Sequence, residues 1–117
     1  MTASQLDFVI EQGTTLANVF QVLDKDLTTG YTWAAKGRYN HGVTTTVFTT
    51  SGTANAAISA AKSGNHTHAT LAMTAAQTAA LEAPAYGVYD IEYTETATGA
   101  VTRAFEGTFY ITPESTK

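Results

Sequence analysis

From Ala85 to Pro113 the chain alternates apolar and polar positions in two long runs. Tyr89, Ile91 and Tyr93 share one parity against Asp90, Glu92 and Thr94. Further on, Val101, Phe105, Phe109 and Ile111 stand against Thr102, Glu106 and Thr108. Period-two alternation buries one set and leaves the other in water. Thr96-Ala97-Thr98-Gly99 between the runs has turn composition, with a glycine free to adopt positive φ. The pattern predicts a β-hairpin.

The same periodicity, in shorter pieces, runs through the rest of the chain. Leu6, Phe8 and Ile10 predict a first strand, closed by a Glu11–Thr14 turn. Thr15 to Leu23 is mixed: Leu16, Phe20 and Val22 share one parity, Val19 and Leu23 the other. That mixture predicts a strand covered on both faces over part of its length, or a bulge near Ala17-Asn18. After a polar turn from Asp24 to Gly30, Tyr31, Trp33 and Ala35 mark a third strand that Gly37 interrupts. Val43 to Thr50 has strand composition, and Ala54 to Ala60 reads as a short strand or an irregular crossing. Ser51 to Asn65 is rich in Ala, Ser and Gly, which predicts a poorly ordered surface loop. His66 to Met73 alternates again. Thr74-Ala75-Ala76-Gln77 is a capping-box string, and it predicts a helix of about two turns that Pro84 stops. So short a helix must be held by packing, here through Leu81.

Seven or eight short strands, one short helix and no internal repeat predict one domain over residues 1–117. The expected fold is all-β, an immunoglobulin-like β-sandwich of antiparallel strands with the helix near residues 74–82. A chain of 117 residues can bury a modest core. Only 14% of residues are charged, which suits hydroxyl-rich outer faces and packing against other proteins. The net charge of −4 and the scattered basic residues argue against a nucleic-acid partner. No apolar run approaches the ~20 residues of a membrane-spanning helix, and the N-terminus lacks a secretion-signal pattern, so the expectation is a soluble protein. The chain has no cysteine, which removes disulfides and thiolate metal sites.

Candidate chemistry is sparse. His66 and His68 sit two apart on one strand, so both imidazoles point to one side. A metal there would need a third ligand, with His41 or Glu92 the candidates. The plainer reading, and the one adopted, places both rings on a Thr-rich solvent or inter-subunit face, with no metal or other cofactor. Asp90 and Glu92 share a strand face, as paired carboxylates do in glycosidases. A small sandwich offers little room for a sugar cleft, so they are read as solvated. Glu106 is placed to pair with Arg103. No nucleophile elbow, phosphate loop or dinucleotide fingerprint occurs, and no catalytic residue is assigned. Trp33, Tyr39, Tyr86, Tyr89 and Tyr93 are expected in or at the edge of the core. Tyr110 lies opposite in parity to Phe109 and Ile111, so it should face outward. Glu92, Glu106, Thr108 and Tyr110, with His66 and His68, are therefore the candidate protein-contact positions.

Three strings occur together: the early QGTT turn, the DLTTGYT segment, and AMTAAQTAAL followed by YGVYDIEYTETATGAVTRAFEGTFYITPE. Together they resemble small β-sandwich virion proteins of tailed bacteriophages, in particular the N-terminal domain of upper-baseplate and tail-fibre-attachment proteins. The chain differs from that pattern by a second Thr in DLTTGY and by the Ser51–Asn65 segment. The resemblance implies a non-enzymatic structural protein of a virion, assembled in the host cytoplasm. Its partners would be other virion proteins and copies of itself, engaged through sheet faces, loops and edge strands. A decoration protein of the head shell, or a carbohydrate- or receptor-binding sandwich using Trp33 and Tyr39, are the alternatives.

Overall fold

The computed structural model describes residues 4–39 and 46–114. In chain order these form β1 (Ser4–Gln5), β2 (Phe8–Glu11), β3 (Leu16–Val22), β4 (Tyr31–Arg38) and β5 (Thr46–Thr49). They continue with β6 (Ala57–Ser63), β7 (His66–Met73), α1 (Ala75–Ala79), β8 (Ala85–Glu95) and β9 (Val101–Thr112). The larger sheet has the order β1-β9-β8-β4-β5, with β2 also on β9; the smaller is β3-β7-β6. Ser4 lies opposite Phe105 and Phe8 opposite Phe109, one constant offset. β1 and β2 are thus a single edge strand interrupted at Leu6-Asp7, parallel to β9. The strand order, with the helix between β7 and β8 and the first strand paired to the last, is that of an immunoglobulin-like sandwich.

Alternation explains which faces meet. Phe8, Ile10, Phe20, Ile91, Phe105, Phe109 and Ile111 are all buried on the inner faces. Phe8 is the centre of an aromatic cluster, with ring centroids 4.9 Å from Tyr89, 5.9 Å from Phe20 and 6.0 Å from Phe109. Phe20 crosses from the smaller sheet to meet Phe105 at 5.2 Å. Each such fully buried side chain contributes roughly 1.5–3 kcal/mol of transfer free energy, so this cluster is what holds the two sheets together.

Two buried threonines fasten the loops. On β7, Thr67 accepts the Leu27 N–H at 2.8 Å and donates to the Lys25 carbonyl at 2.7 Å. On α1, Thr78 accepts the Gly13 N–H at 3.0 Å and donates to the Thr14 carbonyl at 2.7 Å. The helix itself begins with the expected capping box: Thr74 accepts from the Gln77 N–H, and the Gln77 side chain accepts from the Thr74 N–H. Leu81 is buried, as a helix this short requires.

Several expectations need correction. Val101 is 59% exposed, because the register between β8 and β9 shifts after Ile91, where Glu92 pairs with Arg103 and Ala104 is the extra residue. That bulge inverts the parity of the first three residues of β9. β3 carries no bulge and is not covered on both faces: its register with β7 runs unbroken from Leu16 to Val22, and Val19 and Leu23 are exposed. The weakly patterned Ser51–Asn65 interval contains β6, paired along its length with β7. The Ala54–Ala60 stretch, expected as a short strand or an irregular crossing, overlaps it, and with Ile58 the one large apolar side chain in β6 the alternation is weak. Gly37 lies within β4, and the expected interruption is a shift in the register with β5 between Gly37 and Arg38; a Cβ on Gly37 would fall 2.2 Å from the Phe48 ring. Of the expected Val43–Thr50 strand, Thr46–Thr49 is β5, and residues 43–45 lie outside the described residues.

Candidate functional site

The register of the larger sheet arranges its outward side chains in rows. At one end Val9, Tyr110 and Tyr86 lie side by side across β2, β9 and β8. Next come Asp7, Thr108, Val88 and Arg38, then Gln5, Glu106, Asp90 and Lys36, then Arg103, Glu92 and Ala34. The middle rows enclose a shallow concavity of about 700 Å³, lined among others by Lys36, Asp90, Glu92, Arg103 and Glu106. Small residues make the floor: at Gly107 a Cβ would come 2.1 Å from the Leu6 carbonyl oxygen, so the N-terminal strand can cross there only against glycine.

Charge placement within the concavity follows from pairing. Asp90 and Glu106 are direct cross-strand neighbours, an arrangement that repels unless a cation intervenes. Arg103 supplies one, with its guanidinium 3.6 Å from Asp90 and 3.4 Å from Glu106. Both pairs are partly exposed, so each contributes at most about 1 kcal/mol. Their effect is on position: Arg103 is drawn over two carboxylates, which leaves Lys36 and Arg38 as the other cations of the concavity.

The aromatic row at the end is chemically different. Tyr86 is 72% exposed, and its ring centroid lies 4.5 Å from that of the half-buried Tyr110. Exposed Val9 extends the row. Tyr86, expected in or near the core, therefore faces outward. The signal was present in its parity, which it shares with Val88 and Asp90 rather than with Tyr89 and Ile91. Tyr89 by contrast is buried and donates its hydroxyl to the Leu6 carbonyl. Burial, and secondarily the Asp7 carboxylate, push its phenol well above the usual range.

Of the positions proposed from sequence, Glu92, Glu106 and Thr108 line the concavity, and Tyr110 stands beyond its end on the same face. His66 and His68 do not join them. They occupy the outer face of the smaller sheet, on β7, so Glu92 on the opposite sheet is no third ligand for them. His66 Nδ1 accepts the Asp24 N–H at 3.1 Å. His41 lies outside the described residues, and among the described residues no group of three or more His, Asp or Glu is placed to hold a metal ion. Trp33 and Tyr39 are half-buried at the sheet ends: the indole packs on Tyr93 at 5.1 Å and donates to the Leu27 carbonyl, and the Tyr39 hydroxyl donates to Glu82. Burial and then Glu82 raise the pKa of the Tyr39 phenol.

The molecule is an immunoglobulin-like β-sandwich whose larger sheet turns an ion-lined concavity and an aromatic row toward solvent. No protein-family model matches the chain, and comparison with curated proteins gives no match.

Proposed function

We propose that the chain is a non-enzymatic assembly module of a tailed-bacteriophage particle, on the tail side at a baseplate or fibre attachment, docking through the outer face of its larger sheet. The Val9–Tyr110–Tyr86 row, with Arg38 in the row beside it, is the observation that carries the docking face. Tyr and Arg are the residue types that concentrate binding energy at protein interfaces, with polar rims around them. Here the exposed Tyr86, packed against the half-buried Tyr110, offers rigid apolar area, and the concavity next to them offers both signs of charge. Opposed charges on a sheet face select register and partner more than they add affinity. The phage setting rests on the resemblance of the turn strings and the closing hairpin to virion sandwiches, with the head shell as the alternative location.

Gold-labelled antibody against the chain, applied to intact particles, tests the setting: label at the tail tip supports it, label over the head supports the alternative, and unlabelled particles refute both. For the docking face, Tyr86→Ala and Tyr110→Ala should leave the isolated chain folded while lowering its incorporation into particles. Loss of a hot-spot side chain costs about 2 kcal/mol or more, near a thirtyfold loss of affinity. Unchanged incorporation of both variants would remove this face from consideration.

A further inference from the structure

A sandwich has sheet edges, and each edge is a row of backbone donors and acceptors able to pair with another chain unless something blocks it. The four edges of this molecule are treated differently. The β1/β2 edge is interrupted at Leu6-Asp7. β5 is four residues long, and Asn55 occupies its rim: its side chain accepts the Thr49 N–H at 2.9 Å and donates to the Val47 carbonyl at 2.9 Å, and its N–H donates to the Thr49 carbonyl. β6 carries Lys62, paired with Asp26 at 3.8 Å. β3 has none of these devices. Its sequence LANVFQV contains no charge, proline or glycine, and its seven residues hold an unbroken register with β7. Among the described residues, no hydrogen bond is made to the other edge of β3.

We infer that β3 pairs with β3 of a second copy of this chain, antiparallel about a two-fold axis at Val19, giving one continuous six-stranded sheet across the dimer. The occupant follows from charge and chemistry. Two copies, each with a net charge of −4, repel one another. They can approach most closely where neither carries charge, and the outer face beside this edge is such a place. Ala17, Val19 and Gln21 of β3, His68 and Thr70 of β7 and Ser59 of β6 bring no Lys, Arg, Asp or Glu. With Val19 on the axis, Val19 meets its own counterpart and Ala17 lies opposite Gln21 of the second copy, so every outward pair is neutral. Val19 is 54% exposed, and its partner would cover it. Because each copy offers one unguarded edge, pairing closes at two copies. This surface is distinct from the tyrosine row and stands or falls separately from it.

Sedimentation velocity across a concentration series tests the pairing. The wild-type chain should pass from a 12.3 kDa species to one of twice that mass as concentration rises. V19K sets two ammonium groups face to face across the axis, and like charges directly opposite are destabilising; V19E does the same with carboxylates. Each variant alone should associate at least about tenfold more weakly, while an equimolar mixture should restore a one-to-one dimer. Both are exposed substitutions, and thermal melting of each variant checks that it folds. The inference is overturned by a wild-type chain that stays monomeric to millimolar concentration or builds open-ended aggregates. A mixture that fails to dimerise, or a dimer that survives V19K but is lost in Tyr86→Ala, overturns it equally.

Discussion

Thr67→Val removes one hydroxyl from the interior while keeping the shape of the side chain, and its cost can be worked from the two bonds that the hydroxyl makes. Leu27, whose N–H Thr67 accepts at 2.8 Å, is itself buried, so that donor would lose its partner with no water to replace it. A buried group left unpaired costs about 1–3 kcal/mol. The Lys25 carbonyl, which Thr67 bonds at 2.7 Å, belongs to an exposed residue, where water can take over the bond at little cost. The methyl that replaces the hydroxyl returns at most ~0.8 kcal/mol of apolar burial. The expected net loss is about 1–2 kcal/mol, which for a chain of this length lowers Tm by roughly 4–8 °C. Urea unfolding followed by Trp33 fluorescence measures it, and an unchanged m-value would show that the folded and unfolded states keep their compactness. Thr67→Ser keeps both hydrogen bonds and loses only a methyl, so it should be the milder variant. A Thr67→Val protein within about 0.5 kcal/mol of wild type, or less damaged than Thr67→Ser, would refute the role given to the hydroxyl.

Other substitutions probe other contacts. Tyr89→Phe leaves the Leu6 carbonyl without its buried donor and should cost about 1–2 kcal/mol in urea unfolding. The wild-type phenol has a folded-state pKa above its unfolded value of about 10. Its stabilising contribution is therefore whole below that pH and is lost as pH rises above it. The variant should show a shallower alkaline decline, and identical alkaline profiles would count against the buried hydroxyl. Gly107→Ala forces a methyl against the Leu6 backbone and should cost about 1–3 kcal/mol, with amide exchange accelerated first in β2; a neutral effect would mean that the N-terminal strand is not seated there. Asn55→Ala strips the rim of β5 of two side-chain hydrogen bonds and should raise exchange at Thr49 while leaving the core unmoved. Unchanged exchange at Thr49 would show that the rim is held some other way.

Legibility in the sequence followed the amplitude of alternation. The closing hairpin, β7 and the capped helix were readable because large apolar side chains or a specific cap mark them: Ile91 and Phe109, Leu71 and Met73, Thr74 with Gln77. β6 was legible only in part, as a short strand or an irregular crossing over Ala54–Ala60, since Ile58 is its one large apolar side chain. The bulge at Ala104 was invisible because nothing in Thr102-Arg103-Ala104 requires an extra residue; only pairing with β8 reveals it. Thr67 and Thr78 look like surface residues in a threonine-rich chain, and their burial depends on loops that the fold delivers from far along the sequence. For the candidate site, parity correctly put Glu92, Glu106, Thr108 and Tyr110 on one face, whereas Tyr86 was assigned inward on aromatic character against its own parity.

The pairing of the first strand with the last has a mechanical consequence. β1 and β2 run parallel to β9, from Ser4 beside Phe105 to Glu11 beside Thr112. A pull applied at Ser4 and at Glu114 draws these neighbouring strands in opposite directions along their own axes. The load then falls in shear on the whole ladder between them, so its hydrogen bonds must yield together rather than peel one after another. The Glu114 N–H on Gln12 Oε1, at 2.9 Å, fastens the two strands further, and the Tyr89 hydroxyl on the Leu6 carbonyl ties the N-terminal strand to β8 as well. Tension applied between these two points is thereby met by a ladder that resists it all at once.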